Sequence, residues 1–362
     1  SRYAPPMAHP LVLGIETSCD DTACAVLDGE GRVLSSVVSS QLAAHRPYGG
    51  VVPEIASREH LANWPAVSGE ALARAGIPLR EIEVVAATRG PGLVGALLVG
   101  LSIGKAIAFA GRRPFHAVHH LEGHLYSPFL RPPGDPHPPE LPPDRFLGLV
   151  LSGGHSSLFA VEEGAVSTLA ETRDDAIGEV FDKVGKRLGL PYPQGPKVDE
   201  LAERGTPGAR RFPVSRFGET LDFSYSGLKS QALLEIERLE RTLGPIDLGN
   251  DLGENGEPPQ PVLDLLAAFR ESAVGQVLDR LERLHERRPF SLLAVSGGAA
   301  ANRLLRRELP TWAERRGVDL RLVPLVYSGD NAAMIAHAAL LRQRRGLRDD
   351  PFAAEAESRI PI

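Results

Sequence analysis

LVLGIETSCDDTACAVLD (residues 11–28) and FLGLVLSGGHSSLFAV (residues 146–161) are the two stretches that decide the fold. Each predicts an apolar strand, a short turn of small or acidic residues, and an apolar return strand. Because the same unit occurs twice, the sequence predicts a duplicated α/β architecture. The 362 residues also suit two hydrophobic cores better than one.

Apolar periodicity places further elements around these two units. In the first half we predict strands and helices at residues 33–39, 53–75, 84–88, 93–110 and 115–118. In the second half we predict a strand at residues 292–295 and helices at 302–309 and 332–345. Strands that alternate with helices in this way indicate an α/β fold with parallel strand pairs.

The helix at residues 93–110 is nearly long and apolar enough to cross a membrane. Lys105 lies in its middle, and Gly95, Gly100 and Gly104 recur along it. Small residues permit close packing against a neighbouring element. We therefore expect a buried helix in a cytoplasmic protein, with no membrane among its partners.

Proline content marks a boundary near the middle of the chain. Eight prolines fall between residues 128 and 143, which excludes helix interiors and central strands there. We expect a linker at residues 128–143 and a flexible insertion at residues 244–261, which are rich in Gly, Pro, Asn and Asp. The predicted domains are residues 7–127, joined by 330–362, and residues 144–329.

Charge and cysteine content exclude some classes of protein. The chain has 40 Lys plus Arg against 46 Asp plus Glu, a net charge of −6, so it is not built to coat nucleic acid non-specifically. RNA binding would need a partner or local basic patches, such as the arginines within residues 303–316 and 342–348. Two cysteines form no disulfide framework and fit a reducing cytosol.

Turns of small residues follow three predicted strands, at residues 18–22, 152–156 and 296–298. Glycine lets the backbone approach a phosphate, and the following N–H groups donate hydrogen bonds to it. A glycine-rich turn often does no more than reverse the chain. Two such turns, each near the start of one half of a duplicated sequence, are typical of proteins that hold a nucleotide between two facing domains.

His120 and His124, in HHLEGHLYSP, have the spacing of two ligands for one cation. On a helix, residues four apart share one face. Glu122 does not share that face, so the H-E-x-x-H pattern of zinc proteases is not met. A histidine-rich surface helix is the alternative interpretation. Asp330, at a strand-to-helix turn, is the best candidate for a third ligand, although it can also cap the last helix.

Acidic side chains follow the first strand and recur in a later helix. Glu16, Asp20 and Asp21, in ETSCDDT, can position a metal, a water or a reacting amine, and a plain hairpin turn is the alternative. Asp182 lies at helical spacing from Glu179 and can accept ribose hydroxyls, although solvated helix charges give the same pattern. Asp174 is a candidate helix cap.

Nine sequence blocks occur in an order that points to one family. The blocks are LGIETSCDDTACAV, YGGVVPEIASREH, RGPGLVGALLVGLSIGKAIA, VHHLEGH, LSGGHSSL, DDAIGEVFDKVGKRLGL, DFSYSGLK, SGGAAANRLL and SGDNAAMIA. The blocks lie within residues 11–337. Together they resemble the bacterial tRNA N6-adenosine threonylcarbamoyltransferases, the TsaD-type members of the Kae/Qri family.

The resemblance implies a fold, a reaction and partners. The fold is the duplicated α/β fold of actin, sugar kinases and heat-shock ATPases, with two domains that face a nucleotide and metal cleft. In the reaction, threonylcarbamoyl-AMP gives its threonylcarbamoyl group to N6 of adenosine 37 in tRNAs that read codons beginning with A, and AMP is released. The partners besides tRNA are a paralogous inactive subunit of the TsaB type and a small P-loop ATPase of the TsaE type.

The resemblance also implies the residues of the site. His120, His124 and Asp330 would hold one divalent metal, iron(II) or alternatively zinc. We expect Glu16 and Asp20 near the reacting groups. The residues expected to contact the substrate are Val150, Leu151, Ser152, Gly153, Gly154, Asp182, Gly195, Asp199 and Asn302.

Two positions depart from the family pattern. Gln194 stands where a second glycine is commoner, and Gly329 stands where threonine is commoner. Neither change removes a predicted ligand. The same fold serves small-molecule kinases and other carbamoyltransferases, which are alternatives to the tRNA reaction, as is a non-enzymatic scaffold.

Overall fold

The structure, a computed structural model, describes residues 10–214, 220–249 and 257–362. The chain forms two compact units: unit 1 comprises Ser1–Pro143 and Val323–Ile362, and unit 2 comprises Asp144–Leu322. We expected residues 323–329 in the second domain, but they belong to unit 1, where Tyr327 is buried and its hydroxyl donates to the carbonyl oxygen of Arg131.

The predicted insertion at residues 244–261 lies partly outside the described residues. The structure describes 244–249 and 257–261, and the last two of these already belong to a helix. The flexibility predicted for residues 250–256 therefore concerns a segment that the structure does not describe.

The strands and helices predicted from periodicity are confirmed, most with bounds shifted by a few residues, but the helix predicted at residues 302–309 continues to Arg316. Up to residue 143 the elements are β1 (Val12–Glu16), β2 (Asp21–Leu27), β3 (Val33–Ser40), α1 (Leu42–His45), α2 (Pro53–Ala75), β4 (Val84–Gly90), α3 (Val94–Gly111), β5 (Phe115–His119) and α4 (His120–Tyr126). In unit 2 they are β6 (Arg145–Leu151), β7 (Ser156–Glu162), β8 (Ala165–Ala170), α5 (Ile177–Arg187), α6 (Gln194–Ala202), α7 (Ser226–Leu243), α8 (Gln260–Arg287), β9 (Leu292–Ser296), α9 (Arg303–Arg316) and β10 (Asp319–Leu322). The chain then returns to unit 1 with α10 (Ala332–Arg344).

The two sheets have equivalent strand orders, as the predicted duplication requires. The order is β3-β2-β1-β4-β5 in unit 1 and β8-β7-β6-β9-β10 in unit 2. In each sheet the first strand pairs antiparallel with its successor, β1 with β2 and β6 with β7, and parallel with a later strand, β4 or β9. Antiparallel neighbours need only a tight turn, whereas parallel neighbours need a crossover, which the helices provide. The carboxyl ends of the parallel strands therefore meet at one edge of each sheet, where open α/β folds bind ligands.

Helix α10 packs on the central strand of unit 1 at unusually short range. A Cβ atom at Gly14 would lie 2.3 Å from the carbonyl oxygen of Ala332, so glycine is required where β1 crosses the first turn of α10. The close approach brings the turn before α10, with Asp330, to the same end of the sheet as Glu16, the last residue of β1.

Helix α3 passes the length and hydropathy criteria for a membrane span, which is weak evidence on its own. Its glycines pack against other parts of unit 1. A Cβ atom at Gly100 would lie 2.3 Å from Oγ1 of Thr17, and one at Gly104 would lie 3.0 Å from the ring of Phe115. The predicted close packing through small residues is therefore confirmed, but the helix is not buried as a whole, since only 39% of it is buried.

A Gly100→Val variant is expected to lose about 1–3 kcal/mol of unfolding free energy, because valine has no space against Thr17. Denaturant titration measures this loss. Leu98→Gln, on the same helix, is the matched control, because Leu98 is 50% exposed and the change should stay within about 0.5 kcal/mol. Equal stability of the Gly100→Val variant and the wild type would contradict the packing.

Candidate functional site

Strand β5 runs directly into helix α4, and this junction carries the two predicted metal-binding histidines. His119 ends the strand and caps the helix, because its Nδ1 accepts a hydrogen bond from the N–H of Leu121 at 3.1 Å. Its Nε2 donates to the carbonyl oxygen of Ile360 at 3.1 Å. With the helix start set in this way, His120 and His124 lie one turn apart on the same face.

Asp330 reaches the histidines from the turn before α10. The N-cap of α10 is Asn331, whose Oδ1 accepts from the N–H of Met334 at 3.0 Å. The alternative role of Asp330 as the cap of the last helix is therefore wrong. Its Oδ1 lies 3.2 Å from Nε2 of His124 and 3.4 Å from Nε2 of His120.

These three side chains have the chemistry of a divalent metal site. One ligand atom from each lies within 4.8 Å of the others. Both histidines are buried, and 26% of the Asp330 side chain is exposed. Burial lowers the pKa of His120, but the charges of Asp330 and Glu16 outweigh it and raise that pKa to about 10. The site thus favours a positive charge, and two imidazole nitrogens with one carboxylate oxygen suit a divalent cation.

Glu16 lies behind His120 at the carboxyl end of β1 and is completely buried. Its Oε1 accepts from the N–H of Ser18 at 2.5 Å, and its Oε2 accepts from Oγ1 of Thr88 at 2.6 Å. Oε2 also lies 3.1 Å from Nδ1 of His120. We expected Glu16 near the reacting groups, and its burial and these contacts place its carboxylate behind the ring of His120, a predicted metal ligand.

Two adjacent aspartates follow β1, Asp20 in the turn and Asp21 at the start of β2, and from the sequence we chose Asp20. Buried His60 holds this turn, because its Nε2 donates to the carbonyl oxygen of Cys19 at 3.1 Å. Burial, and then the charges of Asp330 and Asp20, raise the pKa of Asp21 to about 7. Asp21, which the sequence groups with Glu16 and Asp20, is therefore a second acidic candidate beside Asp20, although the sequence alone does not show its raised pKa.

Helix α4 is anchored on the side away from the histidines. Arg342 of α10 donates to both carboxylate oxygens of Glu122 over 2.7–3.1 Å, and to the carbonyl oxygen of Ala117 at 3.2 Å. Glu122 thus binds an arginine and lies outside the cluster of His120, His124 and Asp330, as its spacing predicts. Arg342 belongs to a basic group that we considered for RNA contact, and Arg306 and Arg316 of the other group also bind protein atoms.

Unit 2 contains a cavity of about 410 Å³ beside the turns that follow β6 and β9. Apolar side chains of α5 form part of its wall, and the backbone that precedes α9 forms another part. Five residues predicted to contact the substrate line this cavity: Gly153, Asp182, Gly195, Asp199 and Asn302. The structure therefore brings together residues from four separate parts of the sequence.

The other predicted contact residues are not part of the cavity wall. Val150 and Leu151 are completely buried in β6, where they pair with β7. Ser152 and Gly154 belong to the turn between these strands, which is closed by a hydrogen bond from the N–H of Ser152 to the carbonyl oxygen of His155 at 2.8 Å. Because the side chains of Val150 and Leu151 are buried, these two residues can contact a ligand only through backbone atoms.

Asp199 connects three elements at the cavity. Its Oδ1 accepts from Nδ2 of Asn302 at 2.8 Å, and its Oδ2 accepts from the N–H of Arg303, the first residue of α9, at 3.0 Å. Nη1 of Arg270, in the middle of α8, lies 3.2 Å from Oδ1. Sequence reasoning missed Arg270, and the available signal was an arginine that directly follows the apolar run LLAAF at residues 265–269.

Asp182 holds the loop that precedes α6. Its Oδ1 accepts from the N–H of Gly195 at 2.7 Å. Gln194, the departure from the family pattern, is buried against α5, where a Cβ atom at Gly185 would lie 2.5 Å from Cβ of Gln194. The hydrogen bond from Gly195 to Asp182 is present with glutamine at this position.

The two sheets of matched strand order give the chain the duplicated α/β fold shared by actin, sugar kinases and heat-shock ATPases. Two solved HypF structures are similar to it in fold. HypF of T. kodakarensis has a TM-score of 0.58 and 15% identity over 94% of this chain and 48% of that one. Full-length HypF in its phosphate- and nucleotide-bound form has a TM-score of 0.58 and 12% identity over 93% of this chain and 55% of that one.

The chain belongs to the TsaD family, the tRNA N6-adenosine threonylcarbamoyltransferases, whose model matches residues 32–337. A relative with that name from Pelobacter propionicus is 48% identical over 90% of both chains. Relatives from a Cyanothece strain and from Anaeromyxobacter dehalogenans are 43% and 45% identical, over 97% and 94% of this chain and 97% and 98% of theirs. The family to which the sequence blocks pointed is thus confirmed.

Proposed function

We propose that this protein transfers the threonylcarbamoyl group from threonylcarbamoyl-AMP to N6 of adenosine 37 in tRNAs that read codons beginning with A. The observation that carries the proposal is the family match over residues 32–337, with relatives of the same name along nearly the whole chain. The amine nitrogen forms a bond to the carbamoyl carbon, and the bond from that carbon to the phosphate oxygen breaks. AMP leaves with the electron pair, and the amine loses one proton.

We assign one divalent metal to His120, His124 and Asp330, with iron(II) favoured and zinc as the alternative. Two imidazoles and a carboxylate suit either ion. When bound, the metal would supply a Lewis acid for the carbonyl or phosphate oxygen of the donor. This matters because the exocyclic amine of adenine is a weak nucleophile, so the donor must be polarised and held in position.

We assign the nucleotide part of the donor to the cavity of unit 2. Carboxylate and amide groups there can bind ribose hydroxyls, and glycine turns allow the backbone to approach a phosphate closely. Of the residues that the resemblance implies, we propose that the five in the cavity wall contact the donor: Gly153, Asp182, Gly195, Asp199 and Asn302. For the acidic loop of unit 1, we propose that Asp20 lies close to the reacting groups.

A Gly178→Ala variant is expected to bind AMP more weakly and to lower kcat/KM by about 10–100-fold, because the turn after β6 must move. A Cβ atom at Gly178 would lie 2.7 Å from the carbonyl oxygen of Ser152 and 2.9 Å from Cα of Gly153. Calorimetric titration with AMP measures the change. Gly227→Ala is the control, since nothing lies within 4 Å of the added atom. Unchanged AMP affinity in the Gly178→Ala variant would refute the assignment of the pocket.

The resemblance also leads us to propose partners: tRNA, a paralogous inactive subunit of the TsaB type, and a small P-loop ATPase of the TsaE type. Helix α3 has exposed apolar side chains at Val94, Leu98 and Phe109, which a partner subunit can cover. The net charge of −6 fits a protein that relies on partners to capture tRNA. We place the protein in the cytoplasm without a membrane partner, because the glycine face of α3 packs within its own unit.

A kinase or another carbamoyltransferase of the same fold would not place a threonine-derived group on tRNA, and a scaffold would show no turnover. The distinguishing experiment supplies the protein and its partners with donor labelled in threonine, ATP and unmodified tRNA. Label in precipitated tRNA is the expected result. Phosphate transfer from ATP to a small molecule, without label in tRNA, would replace this proposal with a kinase.

A further inference from the structure

The contacts of His120 are distributed unequally between its two ring nitrogens. Nε2 faces Oδ1 of Asp330 at 3.4 Å, on the side where the proposed metal ligands converge. Nδ1 faces the interior, 3.1 Å from Oε2 of Glu16 and 3.2 Å from Oγ of Ser18. The other metal-binding histidine differs, because Nδ1 of His124 has no hydrogen-bond partner among the described residues.

Glu16 has a fixed orientation behind this ring. The N–H of Ser18 donates to one carboxylate oxygen, and the hydroxyl of Thr88 on the neighbouring strand β4 donates to the other. The side chain is 0% exposed, so neither oxygen is open to a substrate amine. A carboxylate held in this way can only accept a hydrogen bond, and the nearest ring atom is Nδ1 of His120.

We propose that Glu16 is a positioning residue of the metal site and not a catalytic base. By accepting a hydrogen bond from Nδ1–H of His120, it selects the tautomer in which the Nε2 lone pair points at the cation. It also fixes the plane of the ring, as carboxylates behind metal-binding histidines generally do. This inference rests on the proposed metal site and assigns a different role to one of its neighbours.

The hydrogen-bond pattern predicts what a Glu16→Gln substitution does. The oxygen that faces the N–H of Ser18 must remain an acceptor, so the amide NH₂ takes the place of Oε2. That NH₂ donates towards Nδ1 of His120 and selects the opposite tautomer, with the hydrogen on Nε2 facing the cation. We expect metal affinity to fall by about 10–100-fold.

A Glu16→Asp substitution distinguishes the effect of the carboxylate's position from the effect of its negative charge. The carboxylate keeps its charge but is withdrawn from the ring by roughly 1.5 Å, the length of one C–C bond. If Glu16 orients His120, both variants lose affinity. If Glu16 only adds negative charge near the cation, Glu16→Asp retains wild-type affinity. Glu83→Gln is the matched control, because Glu83 accepts from the N–H of Leu11 just before the other end of β1.

The test uses the full chain, with cobalt(II) as the probe. Its affinity is measured by competition with a chelator, and its visible absorption reports the ligand geometry. We expect weaker binding and a changed spectrum for Glu16→Gln and Glu16→Asp, and wild-type behaviour for Glu83→Gln. Wild-type affinity in Glu16→Asp would overturn the proposal, and if Glu16→Gln does not fold, Glu16→Asp decides alone.

Failure of the positioning role and failure of the metal site give different results. If the wild type binds cobalt(II) and both Glu16 variants bind it equally well, the positioning role is refuted and the metal site stands. If the wild type binds no cobalt(II) above the level of a His120→Ala/His124→Ala variant, the metal site itself is refuted and the positioning role falls with it.

Discussion

A His120→Ala/His124→Ala variant is expected to retain no metal and to transfer no detectable threonylcarbamoyl group to tRNA. Two of the three proposed ligands are then gone, and Asp330 alone cannot hold a divalent ion against water. Elemental analysis of the purified protein measures the metal, and nucleoside mass spectrometry of the tRNA measures transfer. His137→Ala is the matched control, because the His137 side chain is 69% exposed and its Nδ1 contacts Oδ1 of nearby Asp135 at 2.7 Å.

Circular dichroism and thermal unfolding must accompany this variant, because His120 and His124 are both buried. The spectrum should remain that of a folded α/β protein, since the ends of α4 are also held by the His119 cap and the pair of Glu122 with Arg342. A folded, metal-free double variant with full activity would show that the three residues are not the centre of the reaction.

An Arg270→Ala variant is expected to destabilise unit 2 by about 3–5 kcal/mol and to weaken nucleotide binding. Arg270 is 4% exposed, and its guanidinium binds the carboxylates of Asp199 and Glu203 and the carbonyl oxygen of Ala202. Its removal leaves the carboxylate of Asp199 buried with fewer donors. Because Asp199 also positions Asn302, the damage extends into the cavity. Denaturant unfolding and calorimetric titration with AMP measure the two effects.

Arg303→Ala is the matched control for that variant. The Arg303 guanidinium lies 4.0 Å from the same carboxylate, but its side chain is 56% exposed, and its backbone N–H bond to Asp199 survives the change. We expect a loss of no more than about 1 kcal/mol. Equal unfolding free energies for the two variants would mean that the buried contacts of Arg270 contribute nothing beyond those of a surface charge.

The elements of the fold were predictable because each has its own local signal. Pro53 and Gly76 bracket a helix whose bounds match the prediction, since proline suits a first helical position and glycine suits the residue after a helix. The duplicated strand-turn-strand units predicted the two sheets with their matched order. Local signals did not show where the chain returns from unit 2 to unit 1. Residues 323–329 follow unit 2 in the sequence and were assigned to it, but they pack in unit 1.

In the candidate site, too, local features were predictable from the sequence and long-range contacts were not. The spacing of His120 and His124 is a helical property, so the pair was readable from the sequence. The place of Glu16 depends on contacts with Thr88 and His120, more than 70 residues away, and no local pattern contains them. Asp174 is similar: it was predicted as a cap, and it does cap a helix, but one that begins at Ser226.

The most direct test of the account measures the modified nucleoside itself. Wild-type protein and the His120→Ala/His124→Ala variant are each incubated with partner subunits, threonylcarbamoyl-AMP and unmodified tRNA, and the digested tRNA is analysed by mass spectrometry. We predict that the wild type forms N6-threonylcarbamoyladenosine and releases one AMP for each nucleoside modified. We predict that the variant forms none. Absence of the modified nucleoside with every partner supplied, or equal amounts from both proteins, would contradict the account.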